Sequence, residues 1–448
     1  MRASLASSLS GFEWTSMFRA LRHRNYRLFI GGQFISLIGT WMQNVAQSWL
    51  IYRLTGSSFL LGLIGFVGLL PNFLLAPAGG AVADRVDRRR VVIATQFAMM
   101  LLAFLLASLT LGGWVRLWHV FVLAGLMGIT NAFDVPARQA FFVQMVGKDD
   151  LTSAIALNSS VFNSARVVGP AIAGLLVAVV GEGWCFLINA ISYIAVIASL
   201  FQLRLASRPA RRPPGASPFA DVVEGFRYVR HTGPVHALLM LLGIASLVGM
   251  PYTVLMPVFA DQILQGGARS LGLLLGASGA GAVAGALTVA ARRGIRGLGR
   301  LVAFSCALFG LFLVLFAMSR SFWLSMLLLF PVGFCVMVQM ACSNTLIQTV
   351  VPDALRGRVM SLYSMSFLGI SPFGALLAGA AAERFGAPLT VGTGGVICLV
   401  SAVFFRRYWR FLRVQVRELI VAQEVAAGDP PEGVTNVRLD KDNSTEHP

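Results

Sequence analysis

At 448 residues, 56% hydrophobic and 12% charged, the chain carries about half the ~25% charged residues of a soluble domain. A mean hydropathy of +0.75 makes a bilayer its solvent. The formal charge of +17 does not signal nucleic acid, because the basic residues recur in short loops between apolar runs and form no polar domain of their own. Cys185, Cys306, Cys335, Cys342 and Cys398 all lie in apolar stretches with no CxxC or Cys/His cluster, which argues against a disulfide framework or a metal centre.

In chain order, residues 1–25 are a polar N-terminal segment containing Arg19, Arg22 and Arg24. The apolar run behind it is too long for the core of a leader, so an uncleaved first helix is expected. Runs of the ~20 apolar residues needed to cross a bilayer lie near 27–51, 58–83, 91–112, 116–137, 153–179 and 183–203. A second set follows near 235–261, 270–291, 301–318, 322–344, 359–382 and 388–406. These predict an all-α polytopic membrane protein of twelve transmembrane helices in two six-helix bundles, 26–203 and 235–407. A polar, proline-containing linker at 204–234 joins them, and a tail at 408–448 begins basic and amphipathic and ends too polar to fold.

Arginines crowd alternate loops: Arg85 and Arg88 to Arg90, Arg138, the linker, Arg292 to Arg300, Arg356 and Arg358, then Arg406 to Arg413. The opposite loops hold little beyond Arg53, Arg116, Arg269, Arg320 and Arg384. That asymmetry predicts both termini in the cytoplasm. The halves repeat weakly: 144–151 matches 348–355, Gly169-Pro170 corresponds to Ser371-Pro372, and 79–90 to 291–300. Repeated halves place a site between them near the midplane.

Polar side chains within spans are costly unless they meet protein or water. Gln33, Ser36, Thr40, Gln43, Asn44 and Gln47 share one face of the first span and are expected to line a hydrated cavity; hydrogen bonding between helices is the alternative. The fourth span carries Asn131, Asp134 and Arg138, the fifth Ser159, Asn163 and Arg166, the seventh Ser246 and Thr253, the tenth Cys335, Gln339 and Cys342. Asp134 is the carboxylate set clearly within a span and Arg166 the arginine set well inside one. Because side chains tilt toward their helix N-terminus and spans four and five run in opposite directions, an Asp134–Arg166 ion pair is expected, with Arg138 the competing partner. A charge there could also carry a proton.

The loop after the second span runs from Gly80 through Asp84, Arg85 and Asp87 to Arg88, Arg89 and Arg90. It resembles the signature loop of the major facilitator superfamily, with Asp87 where the general motif has glycine. Gly80 would permit close approach, Asp84 would sit at a helix N-terminus, and the arginines would bind carbonyls or lipid phosphates. Arg166, Gly169, Pro170 and Gly174 resemble the Gly-Pro motif of the antiporter branch, a place of tight helix contact and local bending. Residues 131–139 and 150–159 are similar to the branch of siderophore and drug exporters that contains the enterobactin exporter, and the resemblance spans 15–407.

The resemblance implies alternating access around a midplane cavity built by spans one, four, seven and ten. It implies that Asp84 latches the two bundles on the cytoplasmic side when the outside is open. Cavity-lining candidates are Gln43, Gln47, Asn131, Tyr252, Met256 and Gln339, with Asp134 and Arg166. It further implies export of a small amphipathic molecule across a bacterial inner membrane by a monomer, driven by a proton gradient and without a cofactor. An importer of the same fold, or a membrane receptor or scaffold, are the alternatives. Gly279 to Ala284 imitates a dinucleotide fingerprint, but neither the preceding strand nor the ribose-binding acid is present; Gly276, Gly281 and Gly285 instead read as a packing face. No P-loop, metal or catalytic cluster appears in the sequence.

Overall fold

The structure, a computed structural model, describes residues 18–147, 149–203, 218–292, 294 and 297–427, and among them only helices and their connections occur. The first half contains α1 (Arg24–Thr55), α2 (Ser58–Arg85), α3 (Arg88–Leu111), α4 (Leu117–Val146), α5 (Leu151–Val180) and α6 (Glu182–Gln202). The second contains α7 (Gly233–Ile263), α8 (Gly267–Ala290), α9 (Leu298–Met318), α10 (Phe322–Val350), α11 (Leu355–Phe385) and α12 (Ala387–Ala427). Eleven of these are long and apolar enough to cross a membrane. α1 completes twelve; Gln33, Gln43, Asn44 and Gln47 dilute its apolar character.

Each expected span falls on one helix, but several helices run on beyond the apolar stretch at the arginine-rich end: α4 reaches Val146 and α10 reaches Val350. Hydropathy reports the hydrocarbon boundary, whereas a helix continues until its backbone finds another use. The tail behaves in the same way, because α12 passes 408 unbroken with Trp409, Leu412 and Val416 buried. Residues 204–217 of the linker lie outside the described residues. Pro218–His231 forms a further helix, joined to the base of α11 by Glu224 and Arg358 at 2.8 Å.

Neighbouring helices define a ring. In the first half the order is α5, α1, α6, α3, α4, α2; in the second it is α11, α7, α12, α9, α10, α8. Each position in the second list is the first displaced by six, so the two halves are pseudo-equivalent. The ring closes where α2 meets α11 and α5 meets α8. Lipid tails give helices no hydrophobic reason to associate, so contact depends on small residues that let backbones approach. Gly281 and Gly285 press on the backbone of Phe330 and Phe334 in α10, as a packing face requires. Gly276 faces α5 more loosely, 3.8 Å from Ala171.

α7 and α11 are irregular. α7 has a π turn at Ala245–Gly249, a 3-10 turn at Met250–Thr253 with Pro251 as its second residue, and a second π turn at Phe259–Ile263; α11 has one at Met365–Gly369. Proline withdraws a backbone donor and loosens the ladder. The two broken regions meet: Ser246 Oγ donates to the Phe367 carbonyl at 2.6 Å. Broken spans lining a pathway are common where transporters bind cargo.

Candidate translocation pathway

The two ends of the ring differ. At the arginine-poor end the halves are sealed by glycines. A Cβ on Gly379 of α11 would fall 2.8 Å from the Gly62 Cα and the Ser58 carbonyl of α2. One on Gly174 of α5 would fall 2.8 Å from the Gly272 Cα and 2.9 Å from the Ala268 carbonyl of α8. Glu383 of α11 reaches across to the start of α2, accepting from the Phe59 N–H at 3.0 Å and Ser57 Oγ at 3.1 Å. A carboxylate is favoured there because unsatisfied N–H groups and the helix dipole converge at the helix N-terminus. Cross-contacts continue to mid-span, with the Phe66 and Phe373 rings edge to face at 5.7 Å.

Toward the arginine-rich end α5 shows what the interior is made of. Gly169 packs on Trp41 and Ile38 of α1, and Gly174 on α8. At about 100° per residue the arc between those two neighbours carries Ser159, Phe162, Asn163 and Arg166. The opposite arc carries Val168, Leu175 and Val179, exposed as lipid-facing residues should be. The polar arc therefore points inward, and Ser159 and Phe162 on it are exposed, so the ring is open here. The Arg166 guanidinium lies 5.9 Å from the Trp41 ring centre, and Phe162 meets the same indole edge-on at 5.6 Å. A cation–π contact of this kind is worth roughly 0.5–2 kcal/mol depending on desolvation. Asn44, one turn from Trp41, is exposed. Thr345, Gln348, Thr349 and Arg356 line a hollow of about 460 Å³ at the mouth beside α10 and α11.

Several expected lining residues face elsewhere. Gln43 is buried and accepts from Asn189 Nδ2 of α6 at 2.6 Å, while Gly39 lies against Asn189 and Ser192. Gln33, Ser36 and Gln43 are all buried, so half of the expected α1 stripe packs between helices and is not cavity wall; Gln43 and Thr40, the latter 3.5 Å from the Tyr193 hydroxyl, supply its hydrogen bonds to α6. Tyr252 is buried and shares a 2.6 Å hydrogen bond with Ser278 of α8. Met256 is fully buried, and Gln339 is buried beside Cys306 of α9. Asn131 and Gln47 are half-buried.

The expected Asp134–Arg166 pair is not formed. Asp134, 1% exposed, points to α3, where Thr95 Oγ1 donates at 2.8 Å and Gln96 Nε2 at 3.0 Å. Its charge partner is Arg138, one turn on, with Nε at 3.3 Å. Side-chain tilt set the two groups at similar depth but said nothing of direction around the helix. In the Gly-Pro motif, Pro170 withdraws the donor that the Arg166 carbonyl would otherwise receive. That carbonyl instead faces Gly279 of α8, where a Cβ would fall 3.0 Å away. α5 stays continuous through it.

In the loop between α2 and α3, Asp87 replaces glycine for a visible reason: its side chain caps α3 by accepting from the Arg89 N–H at 2.9 Å. Arg88 donates to the Ala83 and Ala140 carbonyls at 3.3 and 3.1 Å, and Arg89 to Phe201 at 3.2 Å, so the two arginines tie α2, α4 and α6 together toward their arginine-rich ends. Asp84 is half-buried and Arg85 exposed at the rim. The close approach belongs to Gly79, pressed on the Ala132–Phe133 backbone of α4, whereas a Cβ on Gly80 would meet nothing within 4 Å. Gly79→Ala is expected to destabilise by about 1–3 kcal/mol through overpacking and Gly80→Ala to be neutral or slightly stabilising. Melting of both variants in detergent would check this, and equal effects would contradict the assignment.

Asp150, at the start of α5, ties down the N-terminal turn Arg19–Arg22. It accepts from His23 Nε2 at 2.8 Å and lies 3.3 Å from Arg19 Nε. The His23 hydrogen bond, aided by the charges of Arg19, His23 and Arg22 and opposed by desolvation, holds its carboxyl below the usual range. A carboxylate depressed on folding contributes stability above its unfolded pKa of about 3.9 and loses it as pH falls through the depressed value. Asp150→Asn should lower the melting temperature at neutral pH, and the gap from wild type should close on strong acidification. A gap independent of pH would refute the linkage.

Twelve helices in pseudo-equivalent halves, sealed at one end and open to a polar interior at the other, define a multi-pass membrane transporter of the major facilitator superfamily. Within it, the chain belongs to the transmembrane secretion effector family, whose pattern it matches over residues 15–437. It is 27% identical to the staphyloferrin A transporter of Staphylococcus aureus over 385 residues, 85% of this chain and 95% of that protein. It is 28% identical to the multidrug efflux pump Tap of Mycolicibacterium fortuitum (76% and 85% covered) and 27% identical to the enterobactin exporter EntS of Shigella boydii (86% and 94%). These relatives place it in the siderophore and drug-efflux branch. Among solved structures, the nucleoside transporter NupG matches with a TM-score of 0.65 at 13% identity, covering 86% of this chain and 99% of that one. An inward-facing, occupied bacterial homologue of the lysosomal transporter Spinster also gives 0.65 at 13% identity (87% and 97%). At such identity the likeness is one of fold.

Proposed function

We propose that the protein exports a small amphipathic molecule, a siderophore, drug or related metabolite, by alternating access coupled to inward movement of protons. The observation that carries this reading is the α5 arc of Ser159, Asn163 and Arg166, open to water at one end of the ring while glycine contacts seal the other. Placing the arginine-rich end in the cytoplasm makes the open side the loading side. Arg166 over Trp41, with Phe162 beside it, offers a cation and two aromatic faces to a cargo with planar and anionic parts. Three relatives named for siderophore transport, multidrug efflux and enterobactin export support that class of cargo.

In the proposed cycle the Asp134–Arg138 pair is the proton-responsive element: protonating Asp134 would free Arg138 to face the interior. Asp84 is the proposed cytoplasmic latch once the halves rock the other way. The test uses inside-out vesicles bearing the protein, energised with an inward-acid gradient and offered a labelled catecholate or hydroxycarboxylate chelator or a cationic dye. Accumulation abolished by a protonophore is expected. Accumulation by right-side-out vesicles only would make the protein an importer, and none in either orientation with any probe would oppose a transport role for these cargoes.

A further inference from the structure

The lipid-facing surface of the second half contains a groove unrelated to the pathway. It lies between α9 and α12 at the arginine-rich end, with a volume of about 830 Å³. Its mouth is ringed by Arg300 of α9 and Arg406, Arg410 and Arg413 of α12. On α12 these three recur at steps of four and three, within a narrow arc of one helix face. All four are exposed, and among the described residues no carboxylate pairs with any of them. Four cations gathered at a membrane surface with no carboxylate partner among the described residues repel one another and call for an anion.

Below the mouth the walls turn apolar, with Ala303, Phe304 and Ala307 on one side and Ala402 and Val403 on the other. From Gly299 to Ala307 the groove descends about 12 Å along α9, close to the ~15 Å half-thickness of the hydrocarbon core. At the mouth end the groove is shaped by Trp409, whose indole lies so close on Gly299 that no Cβ would fit there. Phe405 stacks behind that indole at 5.2 Å. A polar anion on a long apolar stem matches this shape; a soluble anion would use the mouth and leave the walls idle.

We propose that this groove holds an anionic phospholipid of the surrounding leaflet, its phosphate among Arg300, Arg406, Arg410 and Arg413 and one acyl chain along Ala303, Ala307 and Val403. Guanidinium groups suit the phosphate because they donate in a planar fork. The site stands independently of cargo and transport direction.

The purified full chain in detergent would be titrated with phosphatidylglycerol and, separately, phosphatidylcholine, with retained lipid counted by native mass spectrometry. Phosphatidylglycerol is expected to be kept at least about tenfold better. The triple variant Arg300→Gln, Arg406→Gln, Arg410→Gln should lose that preference. Arg116→Gln with Arg320→Gln, at the opposite end, should keep it. Ala303→Trp, which fills the apolar wall with every arginine retained, should weaken retention of the anionic lipid as well. Equal retention of the two lipids by the wild type would overturn the proposal without recourse to any variant. Displacement by millimolar inorganic phosphate, or an Ala303→Trp variant that binds normally, would reduce the site to one for a free anion.

Discussion

Asp134→Ala is expected to be the most damaging single substitution in the molecule, costing about 3–5 kcal/mol. Removing one member of a buried ion pair leaves the other charge uncompensated, here the Arg138 guanidinium. The side chain of Arg138 is only 19% exposed. Gln96 Nε2 loses its acceptor in the same stroke and Thr95 Oγ1 falls back on the Val91 and Val92 carbonyls of its own helix, so α3 and α4 lose their polar tie. The companion variant Asp134→Ala with Arg138→Leu should recover much of the stability, since replacing both partners with apolar groups is often close to neutral. Transport should not return with it if the pair responds to protons. Asp134→Asn separates the roles further: its Oδ1 still accepts from Thr95, but its amide presents a donor to Arg138. Melting in detergent and proton-driven accumulation in vesicles would be measured together. A double variant that melts normally and transports at the wild-type rate would reduce the pair to a structural element.

The twelve helices were legible in the sequence because bilayer crossing is a property of length and apolarity alone, and both are read directly from residue order. The inward residues were less legible, because facing is a matter of azimuth. Gln43 and Asn44 are adjacent and both polar, yet the ~100° step between them sends one into α6 and leaves the other exposed. Gly79 and Gly80 differ in the same way, with one pressed on a neighbouring backbone and the other in open space. Trp41 carried no obvious sign of function, although its spacing of three from Asn44 placed the two on a common face. The disturbed course of α7 was foreshadowed by Pro251 and Pro257. Glu383, a loop-edge acid in the sequence, gained meaning only when α11 was seen beside the first turn of α2.

Gly174→Leu should abolish closure at the arginine-poor end and lower transport by at least about tenfold. Even the first carbon of the new side chain would fall 2.8 Å from the Gly272 Cα and 2.9 Å from the Ala268 carbonyl. Neither atom belongs to a side chain that can swing aside. Overpacking of this kind costs about 1–3 kcal/mol, and 1.4 kcal/mol is tenfold in an equilibrium. The packing of each half on itself is not touched, so the cost falls on the sealed arrangement, and the population shifts toward one open at that end. Glu383→Gln keeps an acceptor for the Phe59 N–H but removes the charge that favours a helix N-terminus, a loss of about 0.3–1 kcal/mol; its shift should be smaller and in the same direction. Closure can be read by cross-linking Ser57→Cys with Glu383→Cys using a short bifunctional reagent, since the native side chains hydrogen-bond there. Gly174→Leu on that background should lose the cross-link, and Gly68→Ala, where nothing lies within 4 Å, should keep it. A Gly174→Leu protein that still cross-links and transports fully would show that the glycine seal is dispensable. The two halves would then have to exchange access by some means other than rocking about α5 and α8.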